Sequence, residues 1–434
     1  MSYDTESSRN TPKKTLSVKR SDQHIRDQEF AAFASCPRGL EALLLAELEG
    51  LDAKSGKAVG GGVEFRADWL TLQKMNLWSA LAGRIYLRVA HEACNDDEQL
   101  YRLVKKVQWQ QWFSDKQLLR VDLNNLGVEL PNARFLQLRV KDAVCDYFLD
   151  INGRRPSISI DEPDVRILAA LGPTHTSVYL DLSGENLFKR GWRQEKGNAP
   201  LKENLAAGMV NIAQWNADIA LMDPFCGSGT LLIEAACKAV DKAPGLGRRF
   251  GFEKLKGYDP TAFRALQEEA RTRFQTGLQN VMQLNLYGSD ITRLLVELAE
   301  HNAKLAGLEA LLEDGRLRFE QRDARTVEPT AETGLIITNP PYGERLQAKG
   351  LNSEENEAYR ALFGEFGTLL KQKFTGWKFN CLTADLDLRH ALGLSPKRKT
   401  PLFNGGLDCR FFEFPLARGS YRPRSENTGD AAEA

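Results

Sequence analysis

Long apolar runs, net charge and paired cysteines are all missing from these 434 residues. No apolar stretch approaches the roughly 18 residues that a helical membrane span requires, so none is expected. The start, Met1 to Gln28, is polar and lacks the apolar centre of an export signal. The seven cysteines (Cys36, Cys94, Cys145, Cys226, Cys237, Cys381, Cys409) are scattered, with no C-x-x-C pair and no neighbouring His pair. This argues against a zinc site and a disulfide scaffold, and points to a reducing, cytoplasmic setting. Lys and Arg total 58 against 58 Asp and Glu, so affinity for a polyanion has to come from local patches. Hydrophobic content of 42% and charged content of 27% describe a globular chain, long enough for more than one domain.

Residues 1–28 are rich in Ser, Asp, Lys and Arg and are expected to form a disordered leader. Phe30–Ser35 reads as a strand, Cys36-Pro-Arg-Gly39 as a turn, Leu40–Leu48 as a helix and Val63–Arg66 as a second strand. From Asp68 to about Ser183, helices near Trp69–Ala80, Glu98–Val107 and Arg134–Leu149 alternate with strands. The strands are expected near Arg84–Val89, Gln117–Asn124, Ser157–Ile160 and Thr176–Leu182, the pattern of a small α/β module. Basic residues punctuate it: Lys105, Lys106, Arg134, Arg139, Lys141, Arg154 and Arg155. Gathered on one face they would contact phosphates; scattered, they would simply be solvated. In the connector 184–200, Lys189, Arg190, Arg193 and Lys196 are interleaved with Phe188 and Trp192. That composition suits single-stranded nucleic acid and suits a plain linker equally.

Two stretches carry chemistry. In Ile219-Ala-Leu-Met-Asp-Pro-Phe-Cys-Gly-Ser-Gly-Thr230 a strand ends at Asp223, a turn follows through Gly227, Ser228 and Gly229, and a helix opens at Thr230. The glycines let backbone N–H groups approach a ligand at a helix amino end. The spacing falls short of G-x-G-x-x-G, and Asp223 beside Pro224 suits a ligand with an ammonium and a sulfonium better than a pyrophosphate. Residues 241–284 read as a charged insertion. After it Leu286–Asp290 reads as the next strand, its terminal acid placed for a ribose diol. Asp259, in Gly257-Tyr-Asp259-Pro, is the rival, but a helix (Ile291–Ala306) follows Asp290 directly. Leu317–Gln321 leads to Asp323, a candidate for an adenine amino group. Either acid would otherwise be an ordinary helix N-cap. Trp377–Thr383 reads as a fifth strand, and Lys399–Asn404 with Cys409–Phe414 as a closing hairpin. The tail from Tyr421 reads as loose, with Arg418, Arg422 and Arg424 idle or touching RNA.

The second stretch is Gly334–Leu346. Leu335, Ile336, Ile337 and Thr338 read as a buried strand stopped by Pro340 and Pro341. Asn339 and Tyr342 then stand at the strand's carboxyl end, where ligands bind in open α/β sheets. A turn-forming Asn and a half-buried Tyr would be the plain structural account. The chemical account starts from the exocyclic base amine, whose lone pair is delocalised into the ring. The Asn339 side-chain oxygen and the Pro340 carbonyl could accept its two N–H bonds and turn the lone pair toward an electrophile. Tyr342 could stack on the base. No His or Cys is present to act as a base, and none is needed before the bond forms. The pattern is that of a site for methylating an amine on a base.

These stretches resemble the THUMP-domain RNA methyltransferases, in particular bacterial members acting on guanine N2 of large-subunit ribosomal RNA. The likeness extends to Cys36-Pro-Arg-Gly-Leu-Glu41, Leu187-Phe-Lys-Arg-Gly-Trp-Arg193 and Ala199-Pro-Leu-Lys-Glu-Asn-Leu205. It implies an α/β chain with a class I, Rossmann-like, doubly wound methyltransferase domain at 184–420. A ferredoxin-like segment at 29–67 and a THUMP RNA-binding domain at 68–183 would precede it, with a leader at 1–28 and a flexible tail at 421–434. The implied cofactor is S-adenosylmethionine and the implied partner large-subunit ribosomal RNA. Asp223, Pro224, Gly227, Gly229, Asp290, Asp323 and Asn339 are then the candidate cofactor contacts, and Asn339, Pro340 and Tyr342 the catalytic ones. Candidate RNA contacts are Lys105, Lys106, Arg154, Arg155, Lys189, Arg190 and Arg193. Some members carry a second methyltransferase domain after the first; none follows here, so a single modification is expected. Asn-Pro-Pro-Tyr serves adenine, cytosine and guanine amines alike. An N6-adenine methylase is therefore the alternative enzyme, and a non-catalytic RNA-binding assembly factor the alternative from another class. A nicotinamide-dependent dehydrogenase is excluded by the glycine spacing and the want of a hydride-site His.

Overall fold

Two seven-stranded sheets organise the computed structural model, which describes residues 25–26, 28–94, 96–127, 132–193, 201–341 and 353–417. The chain divides into two units. The first comprises 1–36, 40–190 and 243–271; the second 37–39, 191–242 and 272–434.

In the first unit the strand order is β2-β3-β1-β4-β7-β6-β5. The strands are β1 (Glu29–Ser35), β2 (Lys54–Val59), β3 (Gly62–Asp68), β4 (Arg84–Glu92), β5 (Leu119–Asn125), β6 (Val165–Leu171) and β7 (Thr176–Asp181). Neighbours are antiparallel except β5 and β6, which run parallel. Helices α1 (Glu41–Glu49), α2 (Trp69–Trp78), α3 (Asp97–Lys106) and α4 (Ala133–Asn152) accompany them. Asp68 starts α2 by accepting from the Thr71 N–H at 2.8 Å, and Asp96 starts α3 through the Gln99 N–H at 2.7 Å. Strand alternation buries one face, where Ala34, Phe65, Ile85, Leu87, Ile167 and Leu180 are almost wholly excluded from water.

Three local expectations are corrected. Ser157–Ile160 is not a ladder strand; it contributes a single bridge, Ile158 to Leu119, and the long partner of β5 is β6. The Ala-rich run of β6 fits helical and strand spacing alike, which hid it. Strand β2 was also unforeseen, because Lys-Ser-Gly-Lys is edge-strand chemistry with little apolar pattern. Within the expected leader, Ile25 is packed: it is buried, it lies over Gly257, and Arg26 pairs with Asp259 at 2.8 Å.

The second unit's sheet runs β10-β9-β8-β11-β12-β14-β13. Its strands are β8 (Ala220–Asp223), β9 (Leu286–Asp290), β10 (Leu317–Gln321), β11 (Gly334–Thr338), β12 (Lys378–Thr383), β13 (Arg398–Asn404) and β14 (Leu407–Pro415). Strands β10, β9, β8, β11 and β12 are parallel; β14 is antiparallel to β12, and β13 closes the hairpin. The helices are α5 (Glu203–Ile212), α6 (Thr230–Ala239), α7 (Pro260–Asn280, divided between the units), α8 (Arg293–Leu305), α9 (Glu309–Glu313), α10 (Ser353–Lys373) and α11 (Leu388–Leu392). β8 and β11 are buried at every position, as parallel strands covered on both faces must be. Beneath them Met222, Ile336, Phe363, Phe366, Phe379 and Phe412 belong to one apolar cluster. Each such aromatic stabilises the fold by about 1.5–3 kcal/mol relative to exposure. No helix among the described residues is long and apolar enough to cross a membrane.

Candidate active site

A cavity of about 720 Å³ opens at the carboxyl ends of β8, β9, β10 and β11, within the size range of small-molecule sites. Its walls bring together Asp223, Pro224, Gly227, Asp290, Asp323 and Asn339, residues up to 116 positions apart in sequence order. The turn after β11 and the glycine bend after β8 therefore share one space, because β8 and β11 are paired neighbours. Strand β8 pairs with β9 on its other side, so the cavity lies at the point where the order of the sheet reverses.

Asp223 is buried at the last position of β8. Its Oδ1 accepts from Thr338 Oγ1 at 2.6 Å and from the Phe225 N–H at 3.1 Å. Burial pushes its carboxyl up to about 7, with the neighbouring charge of Asp290 adding to the rise and the two hydrogen bonds opposing it. Asp290 in turn accepts from the Gly227 N–H at 3.1 Å and the Thr292 N–H at 2.9 Å, so it props the glycine bend while lining the cavity. Gly227 and Gly229 both have positive φ, 53° and 80°. A Cβ on Gly227 would meet nothing within 4 Å, whereas one on Gly229 would lie 2.9 Å from Ala299 Cβ and 3.1 Å from the Phe319 ring. Gly229 is thus shaped by packing and lies behind the cavity wall; it is Gly227 that lines the space.

Asp323 also borders the cavity, but Arg325 grips it through both oxygens and holds its carboxyl below the usual range. It doubles as the cap of a short 3-10 turn, accepting from the Arg325 N–H at 2.9 Å. Asp259, the rival acid, is a helix cap that accepts from the N–H groups of Thr261 and Ala262, and it does not line the cavity. Asn339 presents a side-chain oxygen that is shielded from water and has no hydrogen-bond partner among the described residues. Pro340 is buried behind it and Pro341 lines the cavity. Tyr342, expected to stack on a base, lies outside the described residues.

Comparison with known proteins gives the frame. Residues 190–412, just over half the chain, match the RMKL-like methyltransferase domain; residues 31–86 match the RlmL ferredoxin-like domain and 94–181 the THUMP domain. The chain belongs to the RMKL-like methyltransferase family. It is 41% identical over 400 residues to ribosomal RNA large subunit methyltransferase K/L of Methylococcus capsulatus, covering 91% of this chain and 52% of that protein. It is 40% identical over 392 residues to the K/L methyltransferase of Shewanella baltica, covering 90% and 54%. The chain thus spans about half the length of the curated relatives it matches. Among solved structures, a possible methylase from Clostridium difficile 630 is similar at a TM-score of 0.79 and 27% identity, covering 92% of this chain and all of that one. SMU.472, crystallised with S-adenosylhomocysteine, is similar at 0.78 and 29%, covering 90% and 99%. A predicted N6-adenine-specific DNA methylase from Listeria monocytogenes is similar at 0.78 and 26%, covering 90% and 97%.

S-adenosylmethionine, the cofactor of RMKL-like methyltransferases, suits the residues present. A buried acid held near neutrality at the end of β8 is relieved by an ammonium, and a second acid at the end of β9 can accept from hydroxyls. Two acids on one cavity would repel a pyrophosphate.

Sequence reasoning missed several residues of this RMKL-like site. Ile291 is 66% exposed beside Asp290 and offers an apolar plate to a ligand ring. Thr338, read only as strand, holds Asp223; Asn302 is buried in α8 and donates to the Ser228 carbonyl at 3.1 Å. Thr338 and Asn302 have no local sequence signal, since each acts through a partner distant in the chain. The seven candidate RNA contacts separate by burial. Arg190 is 7% exposed and donates to the carbonyls of Leu187 and Ala80. Arg193 is tied to Thr230 Oγ1, the Leu201 carbonyl at 3.0 Å and the buried Glu203 at 3.4 Å, so it braces the start of α6. Neither presents free charge to a partner. Lys105 pairs with Asp150, while Lys106, Arg154, Arg155 and Lys189 are more than half exposed in surface ion pairs, those of Arg155 and Lys189 close and those of Lys106 and Arg154 at 3.5 Å.

Proposed function

We propose that this chain transfers a methyl group to the exocyclic N2 amine of a guanine in large-subunit ribosomal RNA. The observation that carries the reading is the Asn339 side-chain oxygen, shielded from water and without a partner among the described residues, on a residue that lines the cavity shared with the glycine bend. A buried acceptor left unpaired costs about 1–3 kcal/mol, so its place in a fold is explained when a ligand donor completes it. When bound, S-adenosylmethionine supplies an electrophilic methyl on a sulfonium. Asp223 holds the ammonium of that ligand, Asp290 accepts from its ribose hydroxyls, and Asp323 accepts from the adenine amino group. Asn339 Oδ1 and the Pro340 carbonyl accept the two N–H bonds of the target amine and turn its lone pair toward the methyl. To Tyr342 we assign the stacking on the base. The amine sheds one proton once the N–C bond has formed, and no strong base is required. In structured RNA the guanine has to leave its stack, which costs on the order of a few kcal/mol. Ribosomal RNA as substrate is supported by the K/L relatives and by the THUMP match.

Nucleoside mass spectrometry of ribosomal RNA from cells with and without the gene tests the assignment, with N2-methylguanosine in the large subunit expected to disappear. Methylation of adenine in duplex DNA in place of ribosomal RNA would favour the N6-adenine alternative instead.

Asp223 makes cofactor affinity depend on pH. Ligand ammonium pairs with the ionised carboxylate, so binding must release a proton wherever Asp223 is neutral. Between about pH 6 and 7.5 the ionised fraction of a group with pKa about 7 rises roughly eightfold, and S-adenosylhomocysteine affinity should rise with it. Calorimetry in buffers of different ionisation enthalpy should register the released proton, and Asp223→Asn should flatten the profile. The free protein responds in the opposite sense. Between 3.8, the usual value, and about 7 the folded chain binds more protons here than the unfolded one, so this group's contribution to stability falls as pH rises through that window.

A further inference from the structure

The helices α2 and α4 pack against the face of the first unit's sheet that carries Phe65, Ile85, Leu87 and Val121; the register fixes what stands on the other face. Phe33 is paired with Tyr86, Tyr86 with Asp181, Tyr179 with Leu168 and Arg166 with Arg120, and paired residues point the same way. The result is an aromatic row flanked by arginines. Phe33 and Tyr86 lie with ring centroids 6.3 Å apart and planes within 20°, and Tyr179 is 6.0 Å from Tyr86.

Beside that row is a recess of about 110 Å³ walled by Arg84, Tyr86, Arg120, Asp122, Arg166 and Asp181. Two of its three guanidinium groups are already engaged. Arg84 binds Asp181, Asn186 Oδ1 at 2.7 Å and the Gly184 carbonyl at 2.6 Å. Arg120 binds Asp122 at 2.9 Å and the Ile160 carbonyl at 2.7 Å. Arg166 is different. Its side chain is 14% exposed, yet its ion-pair partner among the described residues is Glu185 at 3.8 Å, beyond hydrogen-bond range, and that carboxylate is bound by Lys189. A guanidinium so placed keeps five donors in a fixed fork that matches a phosphate, and three arginines against two aspartates leave the recess positive.

We propose that this sheet face is a binding track for single-stranded RNA, with a backbone phosphate seated on Arg166 and an adjacent base on the half-buried Phe33 and Tyr86 rings, beside which Tyr179 is itself buried. Single strands are favoured over duplex because the row offers ring surfaces, which only unpaired bases can cover, next to a phosphate seat of matching size. The inference takes from the proposed function only that the partner is RNA.

Fluorescence anisotropy with the full chain tests it, using a short labelled single-stranded RNA and the same strand annealed to its complement, over a range of salt. Arg166→Gln should weaken single-strand binding about fivefold to tenfold and lower the slope of log K against log salt by about 0.7, the loss of one phosphate contact. Tyr86→Leu should weaken it about fivefold or more with the slope unchanged, since a stacking ring carries no charge. Lys304→Gln, on α8 of the second unit and outside the cavity wall, should do neither. Unchanged affinity and slope in Arg166→Gln would overturn the proposal, as would a larger loss from Lys304→Gln or tighter binding of the duplex. Should Tyr86→Leu fail to fold by circular dichroism, Arg166→Gln alone decides. Methyl transfer, assayed in the same samples, separates the two readings. Wild-type transfer with an unaffected Arg166→Gln variant leaves the enzyme and removes the track, whereas weakened RNA binding without any transfer does the reverse.

Discussion

Replacing Asn339 by Ala is expected to lower methyl-transfer kcat by about 10²–10³, while the free protein melts no lower than the wild type and holds S-adenosylhomocysteine within about threefold of it. The three outcomes share one cause. The Asn339 oxygen is shielded from water and unpaired among the described residues, so it costs stability in the free protein and is repaid only when a substrate N–H arrives. Removing it takes nothing from the cofactor's ammonium or ribose contacts, which are assigned to Asp223 and Asp290. What disappears is the acceptor that orients the amine lone pair, an interaction that strengthens as the nitrogen gains positive charge in the transition state. Single-turnover assays, calorimetric titration and thermal unfolding on one preparation supply the three numbers. A parallel drop in cofactor affinity and melting temperature would mark Asn339 as a structural residue and remove the catalytic reading.

The two glycines of the bend are expected to fail in different ways. Gly229→Ala should destabilise the second unit by about 2–4 kcal/mol, combining the strain of a left-handed residue with a contact that Ala299 and Phe319 cannot relieve without moving. Gly227→Ala meets no neighbour, so only the strain remains, about 1–2 kcal/mol. Its methyl group would instead intrude on the cavity, and the Gly227 N–H to Asp290 bond would be bent. Cofactor affinity should therefore fall by about tenfold or more in Gly227→Ala at a temperature where the protein is fully folded. Denaturant unfolding and cofactor titration measure the two losses. Equal stability effects in both variants would contradict the packing described around Gly229.

Much of the second unit was legible residue by residue. Leu335–Thr338 and Leu286–Asp290 are unbroken apolar or near-apolar runs ended by proline or by an acid, and both are parallel strands whose ends line the cavity. The signal is strong there because a strand covered on both faces cannot alternate. The first unit was less readable. Edge strand β2 has almost no apolar residues to betray it, and Ala-rich β6 satisfies two periodicities at once. Charge was the least readable property of all. Arg190 and Arg193 look like nucleic-acid contacts in a basic, aromatic connector, yet Arg190 is buried, the Arg193 side chain is only 12% exposed, and both are bonded within the protein. Arg166, which drew no notice in an apolar strand, is the guanidinium of its recess whose ion-pair partner among the described residues is a carboxylate 3.8 Å away.

The one-dimensional chain was sufficient to determine which strand ends carry glycines, acids and the Asn-Pro-Pro turn, because apolar periodicity and turn chemistry are local properties of neighbouring residues. Only the folded sheets decided that these ends converge, that Thr338 would restrain Asp223, and that Arg166 would keep its donors open beside a row of rings. Convergence, burial and hydrogen-bond satisfaction depend on pairings between residues scores of positions apart, and no local pattern records those.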